Sequence, residues 1–126
     1  MANLKIPEIS NDATINVALD TINKGKQALI FVNSKRSAEK TAEEVGKKVT
    51  GVNEAWSVLS TKVMKVLASP TTQCKRLCGC LLKGVAFHHA GLAAKQRELI
   101  EDGFRDGVVK VIASTPTLAA GLDLPA

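Results

Sequence analysis

Apolar positions along this chain alternate between two patterns. Residues 28–32 (ALIFV), 84–88 (GVAFH) and 108–113 (VVKVIA) are dense apolar runs of strand length. Runs that lack polar alternation suit strands buried on both faces, as in a parallel sheet. Elsewhere the apolar residues recur at helical spacing. The spacing predicts a helix from Asn11 or Asp12 to about Asn23, with Ile15, Ala18, Leu19 and Ile22 on one face. It predicts a second over 35–49, facing the core with Ala38, Ala42 and Val45. A third covers 54–68 (Trp56, Leu59, Val63, Leu67), and a fourth runs from Thr71 to about Leu82. In the fifth, over 92–105, Leu99, Ile100 and Phe104 point inward and Gln96, Arg97 and Glu98 outward. Gly25, Thr50-Gly51, Ser69-Pro70-Thr71 and Asp106-Gly107 break these segments. Residues 1–10 read as an extended lead-in broken by Pro7.

The order is α-β-α-α-α-β-α-β. Alternating strands and helices joined by right-handed crossovers make an α/β fold, a parallel sheet with helices on both faces. Residues 50–83 insert two helices between the first and second of these strands, more than one crossover needs.

Candidate chemistry follows each strand, so all of it is expected at the carboxyl edge of the sheet. After the last strand come Ser114, Thr115, Pro116 and Thr117. Thr115 suits an N-cap and Pro116 the first helical position. Free backbone N–H groups beside two threonine hydroxyls suit a phosphate. Gly121 then supplies a flexible point, and Asp123 a carboxylate able to take a ribose hydroxyl. The plainer alternative is an ordinary capped loop. After the first strand, Ser34, Lys35 and Arg36 place cations in a helical first turn, where the macrodipole disfavours them. A bound anion relieves that conflict; two solvated cations are the alternative. His88 and His89 close the second strand; metal ligands, general bases and plain polar residues at a strand end are the readings, and with no carboxylate motif beside them the last is expected.

Composition narrows the partners. The chain has 126 residues, enough for one domain, with 45% hydrophobic and 23% charged residues and a net charge of +5. That charge favours a phosphate-bearing partner. Aromatics make up only 3%, so a platform for stacking bases is not available away from Trp56. Cys74, Cys78 and Cys80 crowd into one short segment, but their spacing matches no common zinc module, and reduced thiols of an intracellular protein are expected. No signal sequence and no run of transmembrane length is present, so a membrane is not expected as a partner.

ALIFVNSKRSAE, GVAFHHAGL with KQRELIEDGFRDG, and VKVIASTPTLAAGLDLPA resemble motifs IV, IVa and V of superfamily 2 helicases. The wording is closest to the archaeal fork-repair helicases and related RNA-processing helicases. The resemblance covers about Ile15 to Ala126 and implies a second RecA-like domain, with residues 1–126 a fragment of it. It further implies that Ser34, Lys35, Arg36, His89, Gly91, Thr115 and Thr117 meet the nucleic-acid backbone. Gly121 and Asp123 would face ATP across the cleft to the first RecA-like domain; many members of this branch carry Asn at the position of Asp123. The implied whole is an ATP-dependent 3′-to-5′ helicase using ATP and Mg²⁺. Its partner is single-stranded or forked DNA, with RNA as the alternative strand, and its place is intracellular, in the cytoplasm, nucleoid or nucleus.

The departures matter as well. The sequence holds no P-loop lysine and no Asp-Glu pair, and it stops just after motif V, before the arginines of motif VI. The sheet is therefore expected to be incomplete, and the fragment alone to bind no cofactor and to be inactive as an ATPase. Two other readings stay open: a non-catalytic module that binds nucleic acid or protein, and a small α/β domain for a free nucleotide or phosphometabolite.

Overall fold

The computed structural model describes residues 3–7, 16, 18–22 and 24–116. Four strands form one parallel sheet: β1 (Asn3–Pro7), β2 (Gln27–Phe31), β3 (Val85–His88) and β4 (Val111–Ser114). Their spatial order is β1-β2-β4-β3. Helix α1 (Lys35–Lys48), α2 (Glu54–Met64) and α3 (Thr72–Leu81) connect β2 to β3, and α4 (Ala94–Arg105) connects β3 to β4. Residues 18–22 are also helical.

The lead-in is more than extended chain. Asn3–Pro7 pairs with β2 in parallel, Asn3 level with Gln27 and Pro7 level with Phe31. The continuous apolar runs become strands buried on both faces: β3 and β4 are buried at every position. From β2 the chain steps outward past one place to β3, then returns to fill that place with β4. A right-handed crossover in each direction puts the two connections on opposite faces. Accordingly α1 covers the face that carries Phe87, whereas α4 meets His88 on the other.

The caps follow the sequence. Ser34, Asn53 and Thr71 are extended residues whose side-chain oxygens accept from Ser37 N, Ala55 N and Cys74 N. Two boundaries shift for local reasons. Helix α2 stops at Met64, because Lys65 N–H is shared between Thr61 O and Val63 O, closing the last turn ahead of Ser69-Pro70. β4 begins at Val111 and not at 108, because Val108 N and Val109 N both donate to Gly103 O and wrap the chain onto the end of α4.

Gln96 is a correction. Helical spacing puts it on the outer face of its helix, yet it is 2% exposed. Its Oε1 accepts from Ala93 N at 3.2 Å, capping a helix whose first residue has no capping side chain. Its Nε2 points to Val63 O at 3.4 Å and Cys74 Sγ at 3.3 Å, so one amide joins α4 to α2 and α3. The inserted helices lie over that face, which helical periodicity alone had left to solvent. At the amino end of the sheet, the Trp56 indole N–H donates to Val108 O at 2.8 Å and its ring lies against Gly84. No helix among the described residues is long and apolar enough to cross a membrane.

Candidate nucleic-acid interface

Parallel pairing fixes the level at which each loop leaves the sheet. Phe31 is level with Ser114, and Ser114 with His88. Main-chain bonds carry this one step further, Val32 N donating to Ser114 O and Thr115 N to His88 O. The loops that start at Val32, His89 and Thr115 therefore emerge side by side, across about 10 Å of two strand spacings. The candidate residues Ser34, Lys35, Arg36, His89, Gly91 and Thr115, scattered over 82 positions (34 to 115), come to this one edge. Thr117, Gly121 and Asp123 lie outside the described residues.

On the first loop, Ser34 spends its hydroxyl on the cap: Oγ accepts from Ser37 N at 3.1 Å. No acidic residue occupies the first turn of α1, so the partial positive charge of the helix end stands beside exposed Lys35 and Arg36 without a counter-charge in that turn.

The second loop is locked from within. His89 is fully buried, and its ring stacks on Phe87 with centroids 5.5 Å apart. Gly91 N–H donates to His89 Nδ1 at 3.0 Å. That bond assigns the hydrogen of the neutral ring to Nε2, which donates to Glu39 Oε2 at 2.8 Å. Gln73 Nε2 donates to the same oxygen at 2.9 Å. Arg76 Nη1 bonds Glu39 Oε1 at 2.9 Å while its Nε and Nη2 grip Glu43 at 3.0 and 2.6 Å. Burial pushes the Glu39 carboxyl up, but the bonds from Gln73 and His89 and the charge of Arg76 outweigh it and hold the pKa below the ordinary value. Gly91 has to be glycine: a Cβ there would lie 2.9 Å from His89 Cε1.

His88 turns to the opposite face. It is fully buried, with Nε2 2.8 Å from Glu101 Oε2 on α4. Burial lowers its pKa and the Glu101 bond only partly restores it, so the ring is neutral at pH 7. The sequence shows no carboxylate motif beside the histidines, yet each meets a carboxylate, on opposite faces of the sheet. The adjacent pair alternates faces, as strand geometry requires, and clamps the end of β3 to α1 and α4. With its side chain enclosed, His89 offers a ligand only the turn it supports. On the third loop, Ser114 is buried with its hydroxyl donating to Thr115 O, and Thr115 is 8% exposed.

Glu39, Gln73, Arg76 and Glu101 carry no local signal in the sequence. Glu39 and Glu43 are an ordinary i,i+4 pair on α1, and nothing local marks partners 33 to 50 residues away. No group of three or more His, Cys, Asp or Glu able to hold a metal occurs among the described residues. The three cysteines are buried and unpaired; burial pushes the Cys78 thiol up to about 11 and Cys80 to about 12, so neither is a thiolate at neutral pH.

A parallel sheet wound on both faces, with its loops gathered at the carboxyl edge on either side of a strand-order reversal, defines a RecA-like α/β domain, here in part. The chain belongs to the helicase conserved C-terminal domain family, whose model matches residues 57–126. It is 42% identical over 124 residues, 95% of its length, to the ATP-dependent DNA helicase Hel308 of Methanococcus vannielii. It is similarly 45% identical over 107 residues (85% of the chain) to the Hel308 of Pyrococcus abyssi and 47% over 105 (82%) to that of Thermococcus kodakarensis. The chain spans 16%, 15% and 9% of the length of these three relatives.

Proposed function

We propose that this chain forms part of the motor of an ATP-dependent DNA helicase and grips the phosphate backbone of the strand along which the enzyme moves. The carrying observation is the level alignment of Phe31, Ser114 and His88, which sets three loops in a row with an uncompensated helix end and two cations at one side. The names of the relatives supply the rest: each is an ATP-dependent DNA helicase.

In this reading Lys35 and Arg36 pair with phosphates, while the α1 end capped by Ser34, the His89–Gly91 turn and Thr115 offer hydrogen bonds to the same backbone. Thr117, two positions on in the sequence, is given the same role by the resemblance to motif V. Such contacts set position and polarity and do not read sequence. Gly121 and Asp123 lead toward the ATP bound with Mg²⁺ on a first RecA-like domain, and closure of the two domains on ATP shifts the gripped strand. With no P-loop lysine of its own, the chain contributes no phosphate cradle for ATP and is inactive as an ATPase by itself. Movement runs 3′ to 5′, on single-stranded or forked DNA inside the cell.

The test is strand binding and unwinding by the full-length protein. Lys35→Ala and Arg36→Ala are preferable to Ser34→Ala, because removing the cap also costs about 1 kcal/mol of helix stability. Each should weaken binding of a single-stranded oligonucleotide evenly across sequences and lower the salt slope by about one unit. Unwinding should need a 3′ tail. Unchanged binding and salt slope in both variants would refute the assignment. Strand binding that ATP neither needs nor alters would favour a non-catalytic binding module.

A further inference from the structure

We infer that Glu39 is a positioning residue for this interface, holding the His89–Gly91 turn in its binding shape through the tautomer it imposes on His89; the inference rests on the strand-gripping reading above. Glu39 lies on α1, one turn beyond Ser34–Arg36, and reaches across to the loop after β3. Its own carboxylate is assigned to no phosphate; its contact with the interface is made through the buried ring of His89. Its Oε2 accepts from His89 Nε2, which requires the hydrogen on that nitrogen and leaves Nδ1 as an acceptor. Nδ1 then draws the Gly91 N–H inward at 3.0 Å. The 3.5 Å approach of Gln73 Nε2 to His89 Nε2 is thus two donors converging on one carboxylate oxygen. One side chain thereby ties the loop after β3 to the helix that begins at the first loop.

The inserted helix α3 gives this arrangement its stiffness. Gln73 shares Oε2 with His89, and Arg76 holds Oε1 while it anchors on Glu43. The insertion over residues 50–83, longer than one crossover needs, therefore braces Glu39 from behind. Without Glu39 the ring is free to exchange tautomers. A hydrogen on Nδ1 faces the Gly91 N–H donor to donor and turns the loop outward.

Glu39→Gln separates the two halves of the network. Its amide oxygen can stay at the Oε2 place and keep His89 and Gln73, at the loss of the Arg76 contact alone. Glu43→Ala loosens Arg76 without touching His89. The experiment measures anisotropy of a labelled oligothymidylate with the full-length protein, and hydrogen exchange at the Gly91 amide in the same samples. Glu39→Ala should weaken binding about tenfold, the worth of one charge-assisted bond, and speed Gly91 exchange. Glu39→Gln should restore most of both, and Glu43→Ala should leave both near wild type. Wild-type affinity in Glu39→Ala, with Gly91 exchange accelerated, would overturn the positioning role and leave the strand-gripping reading standing. Equal losses in Glu39→Gln and Glu39→Ala would overturn it too, since the charge and not the tautomer would then matter. Absence of strand binding by the wild-type protein would overturn both.

Discussion

Replacing Gly84 with alanine tests how the insertion is bolted to the sheet. Gly84 has φ +75°, a backbone region that costs an L residue about 1–2 kcal/mol. The added Cβ would also stand 2.6 Å from Trp56 Cε2 and Cζ2 and 2.9 Å from Nε1. Those atoms belong to a rigid indole that its bond to Val108 O holds in place, so the ring cannot swing aside without losing that bond. Overpacking of this kind costs about 1–3 kcal/mol. The sum, about 2–5 kcal/mol, is a large part of the 5–15 kcal/mol by which domains are stable. Urea unfolding followed by far-ultraviolet circular dichroism reads it directly. At a slope of about 2 kcal/mol per molar, the midpoint should fall by roughly 1–2.5 M with the slope unchanged. The cycle is closed in a Trp56→Ala background. There the clash is gone and Gly84→Ala should cost only the backbone part, so the two substitutions couple by about 1–3 kcal/mol. Strict additivity would refute the ring contact as the cause. A cost below about 1 kcal/mol in the wild-type background would refute the strained geometry as well.

Two further outcomes are expected. Stability should fall on acidification in two stages. Burial lowers the His88 pKa below 6.5 despite the Glu101 bond, so the unfolded chain takes up that proton first, and stability present above about pH 6.5 is lost as pH falls. Glu43, lowered chiefly by its Arg76 bond, and Glu39, lowered although burial opposes it, have carboxyls below 4.5, and their contribution is lost only at lower pH still. Melting temperatures from pH 8 to about 2 check both stages, and a flat profile from 7.5 to 5.5 would contradict the His88 stage. Gln96→Leu keeps the volume but strips Ala93 N of its partner, and should cost about 1–2 kcal/mol in urea unfolding. A change within about 0.5 kcal/mol, typical of surface positions, would show that the amide is not structural.

Much of the architecture was legible because local rules sufficed. Dense apolar runs marked β2, β3 and β4, and helical spacing of apolar residues marked the helices between them, since both preferences act over a few residues. The motif runs pointed to the helicase family for the same reason: FHHAGL is contiguous. What the sequence could not carry was any relation between distant segments. Residues 3–7 show no strand signal, yet they complete a ladder whose other half begins twenty-four positions later. Gln96 looked solvent-facing on its own helix and became buried when α2 and α3 closed over it. His88 and His89 looked alike and unpaired; the pleat sent them to opposite faces, and the crossovers brought Glu101 and Glu39 to meet them. Local sequence carried the three apolar strands, the helices between them and the residue types available at each strand end. The tertiary structure alone decided which of those ends stand level, and which histidine nitrogen carries the hydrogen. Both depend on hydrogen-bond partners that lie tens of residues apart in the chain and meet only when the sheet closes.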